Sequence, residues 1–386
     1  MRMQYKTIGE INHYASENVN PARFPEQYFE LYSVPHFSEG YPEIIKGKDV
    51  GATKQVVQEG DVLICKINPR INRVWKVTRH TDYPLIASSE WVIVRNADLN
   101  ADYLTYYFSS PKFRVLINSE LTGMGGSLTR AQPKQIRRYL VPVPDKEEQH
   151  FVVRNLALLD HLISLRQQQA EKLDELVKAR FVEIFGDPVR NTKLFPQHEL
   201  KEYIQFLTSG SRGWAKFFSD DGELFITIKN VKNGHINLSD VQHVMPPDNA
   251  EAKRTKVQAG DLLISITADL GRTGVVSDNL AQRGAYINQH LTCIRLKKDE
   301  VLPQYVSAFL ESAAGKRQFS AKNQSAVKAG LNFEAIKSLR LFMPPLELQR
   351  EYIAFVNEVD CEKDRIQRSA ALLETLKRSL MQQYFG

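Results

Sequence analysis

The sequence is poor in cysteine and has no long apolar run. Its three cysteines in 386 residues, Cys65, Cys293 and Cys361, are far apart, odd in number and form no CxxC pair. They exclude a disulfide framework and a zinc-finger site, and the simplest reading is a reduced, cytoplasmic protein. No stretch approaches the roughly 18 consecutive apolar residues of a spanning helix, and the opening MRMQYKTIGEINHYA lacks an apolar signal-peptide core. Catalytic signatures are missing too. There is no GxxxxGK[ST] phosphate loop, and the nine histidines form no HExxH or close His/Asp/Glu cluster. An adenine methyltransferase would need a glycine loop after a strand and a polar-Pro-Pro-aromatic loop. Gly123-Met124-Gly125-Gly126 lacks the strand, and Met245-Pro246-Pro247-Asp248 lacks both flanking residues. Asp248, Glu251 and Lys253 resemble a metal-dependent nuclease signature only superficially, because two intervening residues cannot build the strand hairpin that carries its carboxylates; a solvated turn is expected.

What is present is a repeat. Shifted by about 200 residues, the chain matches itself: Gly60-Asp61-Val62-Leu63-Ile64 falls on Gly260-Asp261-Leu262-Leu263-Ile264, Pro144 and Gln149 on Pro344 and Gln349, and Leu173, Leu176 and Phe185-Gly186 on Leu373, Leu376 and Phe385-Gly386. A constant offset over these sites means a duplicated module, and missing it would misassign the fold. With 42% hydrophobic residues there is enough apolar material for two cores, as the length also implies.

Each copy ends in a helix. From Glu147 to Phe185 there is no glycine or proline, Pro144-Asp145 is a start signal, and Gly186-Asp187-Pro188 is a stop. Apolar residues alternate at spacings of three and four: Leu156, Leu159, Ile163, Leu173 and Val177 in one tail, Val356, Val359, Ile366, Leu373 and Leu380 in the other, broken at Arg166, Arg180, Lys363 and Lys377. That is a coiled-coil seam. A helix this long, roughly 55–60 Å at 1.5 Å per residue, outlasts any small domain, so the two seams are expected to bury each other. The preceding segments read as mixed α/β, an α+β class: a Gly-Asp turn and apolar strand in residues 55–66 and 256–266, further strands at 91–95 and 291–296, and short helices at 102–108 and 303–312. The expected division is 1–145 and 188–345 as globular units, with 146–187 and 346–386 as spacer helices.

The formal charge of +6 is unevenly spread. The four segments in chain order carry +3, −2, +6 and −1, so the positive excess lies wholly in the globular units, where a polyanion would sit. The densest basic run follows the first Gly-Asp strand: Lys66, Asn68, Arg70, Asn72, Arg73 and Lys76, continuing to Arg79. Arg and Lys neutralise phosphate, and Arg and Asn also read guanine and adenine edges; a solvated loop is the alternative for any single residue. The equivalent place in the second copy holds Thr267 and Arg272 on a different sequence. Its other candidates are Ser211, Arg212, Trp214 and Lys216 in a small-residue loop, Lys229 and Asn230, and Gln289 and His290 before a strand, where strand-end hydrogen bonding is the alternative.

These motifs together resemble the specificity (S) subunit of type I restriction-modification systems: the Gly-Asp-apolar-Leu-Ile frame, the Pro-x-x-x-x-Gln entry to each tail, and Leu173-Asp174-Glu175-Leu176 through Phe185-Gly186-Asp187-Pro188. The loop at 208–216 with 226–236 resembles one type of target recognition domain. Residues 1–145 lack that loop and carry Phe29-Glu30-Leu31-Tyr32-Ser33-Val34-Pro35 instead. The resemblance implies two target recognition domains, each reading one half of a split double-stranded DNA site. Between them lies an antiparallel coiled coil that sets the spacing and docks methyltransferase (M) subunits, two of them. It further implies restriction/translocase (R) subunits in the complex, and no cofactor in this chain, with S-adenosylmethionine, ATP and Mg²⁺ held by the partners. A methylation-only system, a nuclease using Asp248, Glu251 and Lys253, and a coiled-coil adaptor are the competing readings.

Overall fold

The computed structural model describes residues 4–119, 129–324 and 330–386; the Gly123–Gly126 run lies outside the described residues. The chain forms two compact units, one made of Met1–Gln168 with Ile366–Gly386, the other of Gln169–Arg365.

In the first unit a three-stranded antiparallel sheet is ordered Val74–Lys76, Val62–Cys65, Trp91–Val94. A five-stranded mixed sheet pairs Tyr28–Tyr32 in parallel with Leu85–Ala87, and Gln4–Thr7 pairs with Leu140–Val143. The second unit repeats this plan. Leu262–Ser265 lies between Leu291–Leu296 and Thr273–Val275, Glu223–Ile226 runs parallel to Ala285–Ile287, and Gln197–Glu199 pairs with Arg340–Phe342.

The apolar run after each Gly-Asp serves two cores at once. Alternate side chains of a strand point to opposite faces, so Val62 and Ile64 join the core under helices Ala101–Ser109 and Pro111–Ser119, while Leu63 and Cys65 join the core shared with the mixed sheet. Leu262 and Ile264 divide from Leu263 in the same way. A strand buried on both faces needs an unbroken apolar sequence, which is why this segment repeats so visibly.

The rest of the shared frame is polar and equally specific. Gly60 and Gly260 sit at φ +85° and +82°, where a side chain would strain the turn. The aspartate that follows has no exposed surface. Asp61 receives Nε and Nη2 of Arg95, both at 2.7 Å, and the amide of Gln58; Asp261 receives Arg295 at 2.8 Å through both atoms, and Gln258. Gln149 donates to the Pro144 carbonyl and accepts from the Asn100 amide, and Gln349 does the same with Pro344 and Leu302. The Pro-x-x-x-x-Gln motif thus fixes each long helix to the short helix beside it.

The long helices span Lys146–Phe185 and Leu346–Phe385. In the first unit they run antiparallel, joined by Asn155 to the Tyr384 hydroxyl at 3.1 Å and by the ion pair of Lys377 with Asp160. In the second, Lys363 meets Asp174 at 2.6 Å and Arg180 meets Glu351 at 2.5 Å, again antiparallel. The charged residues that break the stripe at 180, 363 and 377 are therefore ion pairs from one helix to the other. Leu156, Leu159, Ile163, Val359 and Ile366 are buried and Leu173, Val177, Val356, Leu373 and Leu380 half-buried, as the seam requires.

Two pairs of large residues extend the packing beyond the seam. Phe181 and Phe185 enter the core of the second unit around Tyr305 and Tyr352, whereas their repeat equivalents Met381 and Phe385 enter the core of the first unit beside Tyr103 and Tyr107. Each unit is completed by the far end of a helix that begins in the other.

Candidate nucleic-acid interface

The scattered candidates of the second unit meet at one edge. Strands Glu223–Ile226 and Ala285–Ile287 end together, and the Asn288 amide donates to the Ile226 carbonyl at 3.0 Å. Ser211 bonds the same edge, its amide to Ile287 and its carbonyl to the amide of Gln289. The loop comes this close because position 210 is glycine; a Cβ there would fall 2.1 Å from the Asn288 carbonyl oxygen. Ile266 donates to the His290 carbonyl, which brings Thr267 alongside. His290 is bonded at both ring nitrogens, Nδ1 to the Thr267 hydroxyl at 2.7 Å and Nε2 to the Gln289 amide nitrogen at 3.0 Å.

Several expected contacts are instead structural. Ser211 is buried and shares a hydrogen bond with the Thr255 hydroxyl. Trp214 is buried against Phe225 and Tyr286, with its Nε1–H on Glu251. Asn230 is 3% exposed and caps Thr227 while donating to the Asn237 and Asp240 carbonyls. Arg272 is paired with Asp269. These four hold the loops in shape, and Arg212, Lys216, Lys229, Thr267, Gln289 and His290 remain as the presented groups.

In the first unit the equivalent edge carries the loop from Lys66 to Arg73. Lys66 donates to the Glu90 carbonyl, as Ile266 does to His290, and Asn68 at φ +45° takes the left-handed turn that Ala268 takes at +54°. Backbone bonds from Asn68 to Thr129 and from Ala131 to Lys66 fasten the loop. Asn72 is an anchor rather than a base reader, because its side-chain amide donates to the Phe108 carbonyl at 3.0 Å. Lys76 and Arg79 are also displaced from the expected cluster. The strand Val74–Lys76 runs back antiparallel to Val62–Cys65, which carries them to the opposite end, where Lys76 pairs with Asp102 and Arg79 bonds the Thr81 and Tyr83 carbonyls. What remains at the edge is Lys66, Asn68, Arg70 and Arg73. Arg130, paired with Glu90 at 3.2 Å, joins them; it escaped the sequence reading because only strand pairing brings residue 130 beside residue 67.

Burial pushes the Cys65 and Cys293 thiols up, which disfavours thiolate. Among the described residues no group of three or more His, Cys, Asp or Glu could hold a metal ion. The nuclease look-alike dissolves into a helix start: Asn249 caps Ala250–Thr255, Asp248 pairs with Lys253 at 3.4 Å in solvent, and Glu251 is bonded to Trp214. No described helix is long and apolar enough to cross a membrane.

Comparison with known proteins shows what the chain is similar to. The family model described as type I restriction modification DNA specificity domain matches residues 198–376. The chain is 23% identical over 303 residues to the EcoKI specificity subunit of Escherichia coli strain K12, covering 73% of this chain and 64% of that one. It is 22% identical over 360 residues to the MjaX specificity subunit of Methanocaldococcus jannaschii, covering 89% and 81%. The match thus spans less than two thirds of the EcoKI subunit's length. Among solved structures, a chain from work on complex assembly and conformational transition of the type I R-M system superposes with a TM-score of 0.64 at 18% identity, over 99% of this chain and 97% of that one. The S subunit of the type I system from M. genitalium gives 0.53 at 13% identity, over 100% and 96%. Residues 198–376 thus match a type I restriction modification DNA specificity domain, the same frame recurs in the first half of the chain, and the fold is shared along the chain with a solved type I S subunit.

Proposed function

We propose that this chain is the non-catalytic, sequence-reading subunit of a type I restriction-modification complex. Each unit reads one half of a bipartite double-stranded DNA site. The long helices set the distance between the halves and dock two methyltransferase subunits, through which restriction/translocase subunits join. S-adenosylmethionine, ATP and Mg²⁺ belong to those partners. The observation that carries this reading is the pair of equivalent strand-end edges, built on one frame and carrying different side chains: Lys66, Arg70 and Arg73 on one, Arg212, Thr267 and Gln289 on the other. A common frame with different readers gives two half-sites of different sequence, with centres about 34 Å apart or slightly more, one helical turn of DNA. Sequencing the methylated motifs in cells carrying the chain and its M subunit tests this. Two unlike half-sites separated by a fixed gap are expected; a continuous palindrome would overturn it.

A further inference from the structure

The loop tip in the first unit presents an apolar side chain that its own fold does not use. Ile71 is 57% exposed, between Arg70 and the left-handed Asn72 at φ +49°. In the second unit the corresponding apolar residue, Leu270, turns inward and packs against the core. Arg73 and Arg272 bond the preceding strand in the same way, but the first loop is one residue longer, so the outward isoleucine is a feature of the first loop alone. The loop is also rigid. Pro69 is buried, the Ile71 amide donates to Asn68 and the Asn72 amide to Pro69, and the Asn72 side chain is tied to Phe108. An exposed β-branched side chain held this firmly costs little entropy to dock. Its neighbour Arg70 is exposed and has no ion-pair partner among the described residues.

On the reading of this edge as a DNA contact, we propose that Ile71 is a specificity-determining residue that packs on the 5-methyl group of a thymine in the major groove, next to a base or phosphate held by Arg70. The methyl group is what distinguishes thymine there by an apolar contact, and a side chain that is aliphatic, exposed and next to a cation is suited to seek it. Cytosine and the purines offer no such group at that point, so the contact selects one base rather than adding uniform affinity.

The test uses the full-length chain with its M subunit and two libraries of randomised double-stranded DNA, one made with thymidine and one with deoxyuridine, which lacks only the methyl group. Sequencing of bound DNA gives the preference at each position. The wild type is expected to select thymine at a position of one half-site in the first library and to lose about fourfold of that preference in the second, the value of burying one methyl group. Ile71→Ala should lose it in the thymidine library, with the other half-site unchanged, and Ile71→Val should keep part of it. A thymine preference equally strong with uridine, or an Ile71→Ala variant that keeps every wild-type preference, overturns the inference and leaves the bipartite reading intact. Failure of the wild type to select any sequence overturns the DNA-reading function, and this inference with it.

Discussion

Asp61 and Asp261 have no exposed surface, and each faces one arginine through two parallel hydrogen bonds. That geometry explains why the motif tolerates Val or Leu after the aspartate but repeats the aspartate itself: a buried carboxylate without its partner costs several kcal/mol, whereas one aliphatic residue replaces another cheaply. It also raises the affinity of Arg95 and Arg295 for their protons, chiefly through those bonds. Asp360 on the terminal helix is the opposite case. Burial, aided by Asp364 and Asp174, pushes its pKa up against the pull of His235 at 3.6 Å and of Lys363. A folded-state pKa above the unfolded one means that protonation favours the fold below the unfolded value, and that this contribution is lost as pH rises through the folded value. Asp360→Asn, which removes the charge, should therefore raise the melting temperature at pH 7 and leave it nearly unchanged at pH 3. Thermal melts at the two values check this, and a lower melting temperature at pH 7 would show that the His235 and Lys363 contacts outweigh burial.

At the level of elements, the repeat makes much of the architecture legible in the sequence. The two helices and their seam follow from periodicity, because spacing alone determines which face is apolar, and the strands around Leu63 and Leu263 follow from a repeated Gly-Asp turn before a short apolar run. The sheet order was not legible, since pairing such as Tyr28–Tyr32 with Leu85–Ala87 joins residues that no local pattern connects. The same gap misled the reading of the basic run: Lys76 and Arg79 are neighbours of Arg73 in sequence, yet the returning strand takes them to its other end. Polar residues such as Asn72 and Asn230 could not be sorted into readers and anchors, because both roles use the same amide. Nor did the seam reveal which unit each helix end completes. Phe385 is 2% exposed in the core of the first unit, so Phe385→Ala should destabilise that unit by about 3–5 kcal/mol, the usual loss for a buried phenylalanine. Hydrogen exchange should show faster opening of Val62–Cys65 and Ala101–Ser109, with Leu262–Ser265 unaffected. Loss confined to the second unit would mean that the end of the chain packs on its own module.

Over the whole molecule, duplication separates two tasks that a single surface would confuse. The shared parts, the Asp–Arg pairs, the Gln149 and Gln349 clamps and the antiparallel seam, keep two frames alike, while the strand-end loops vary freely because little of the frame depends on their exposed side chains. The modest formal charge of +6 reflects this division, with cations gathered on the globular parts and near balance on the helices. If each edge reads one half-site, as proposed, a change at one edge alters one half of the recognised site. Arg70→Ala is expected to relax base preference, or weaken phosphate contact, in one half only, and Arg212→Ala in the other. If either arginine contacts phosphate alone, its variant should lower affinity for all sequences and reduce the salt slope by about 0.9; if it reads a base, it should cost about 1–3 kcal/mol against one base at one position. Binding of each variant to duplexes mutated in one half at a time, measured at several salt concentrations, separates these outcomes. Equal loss in both halves from either variant would show that the two edges act on the DNA as one surface, and the assignment of one half-site to each unit would fall.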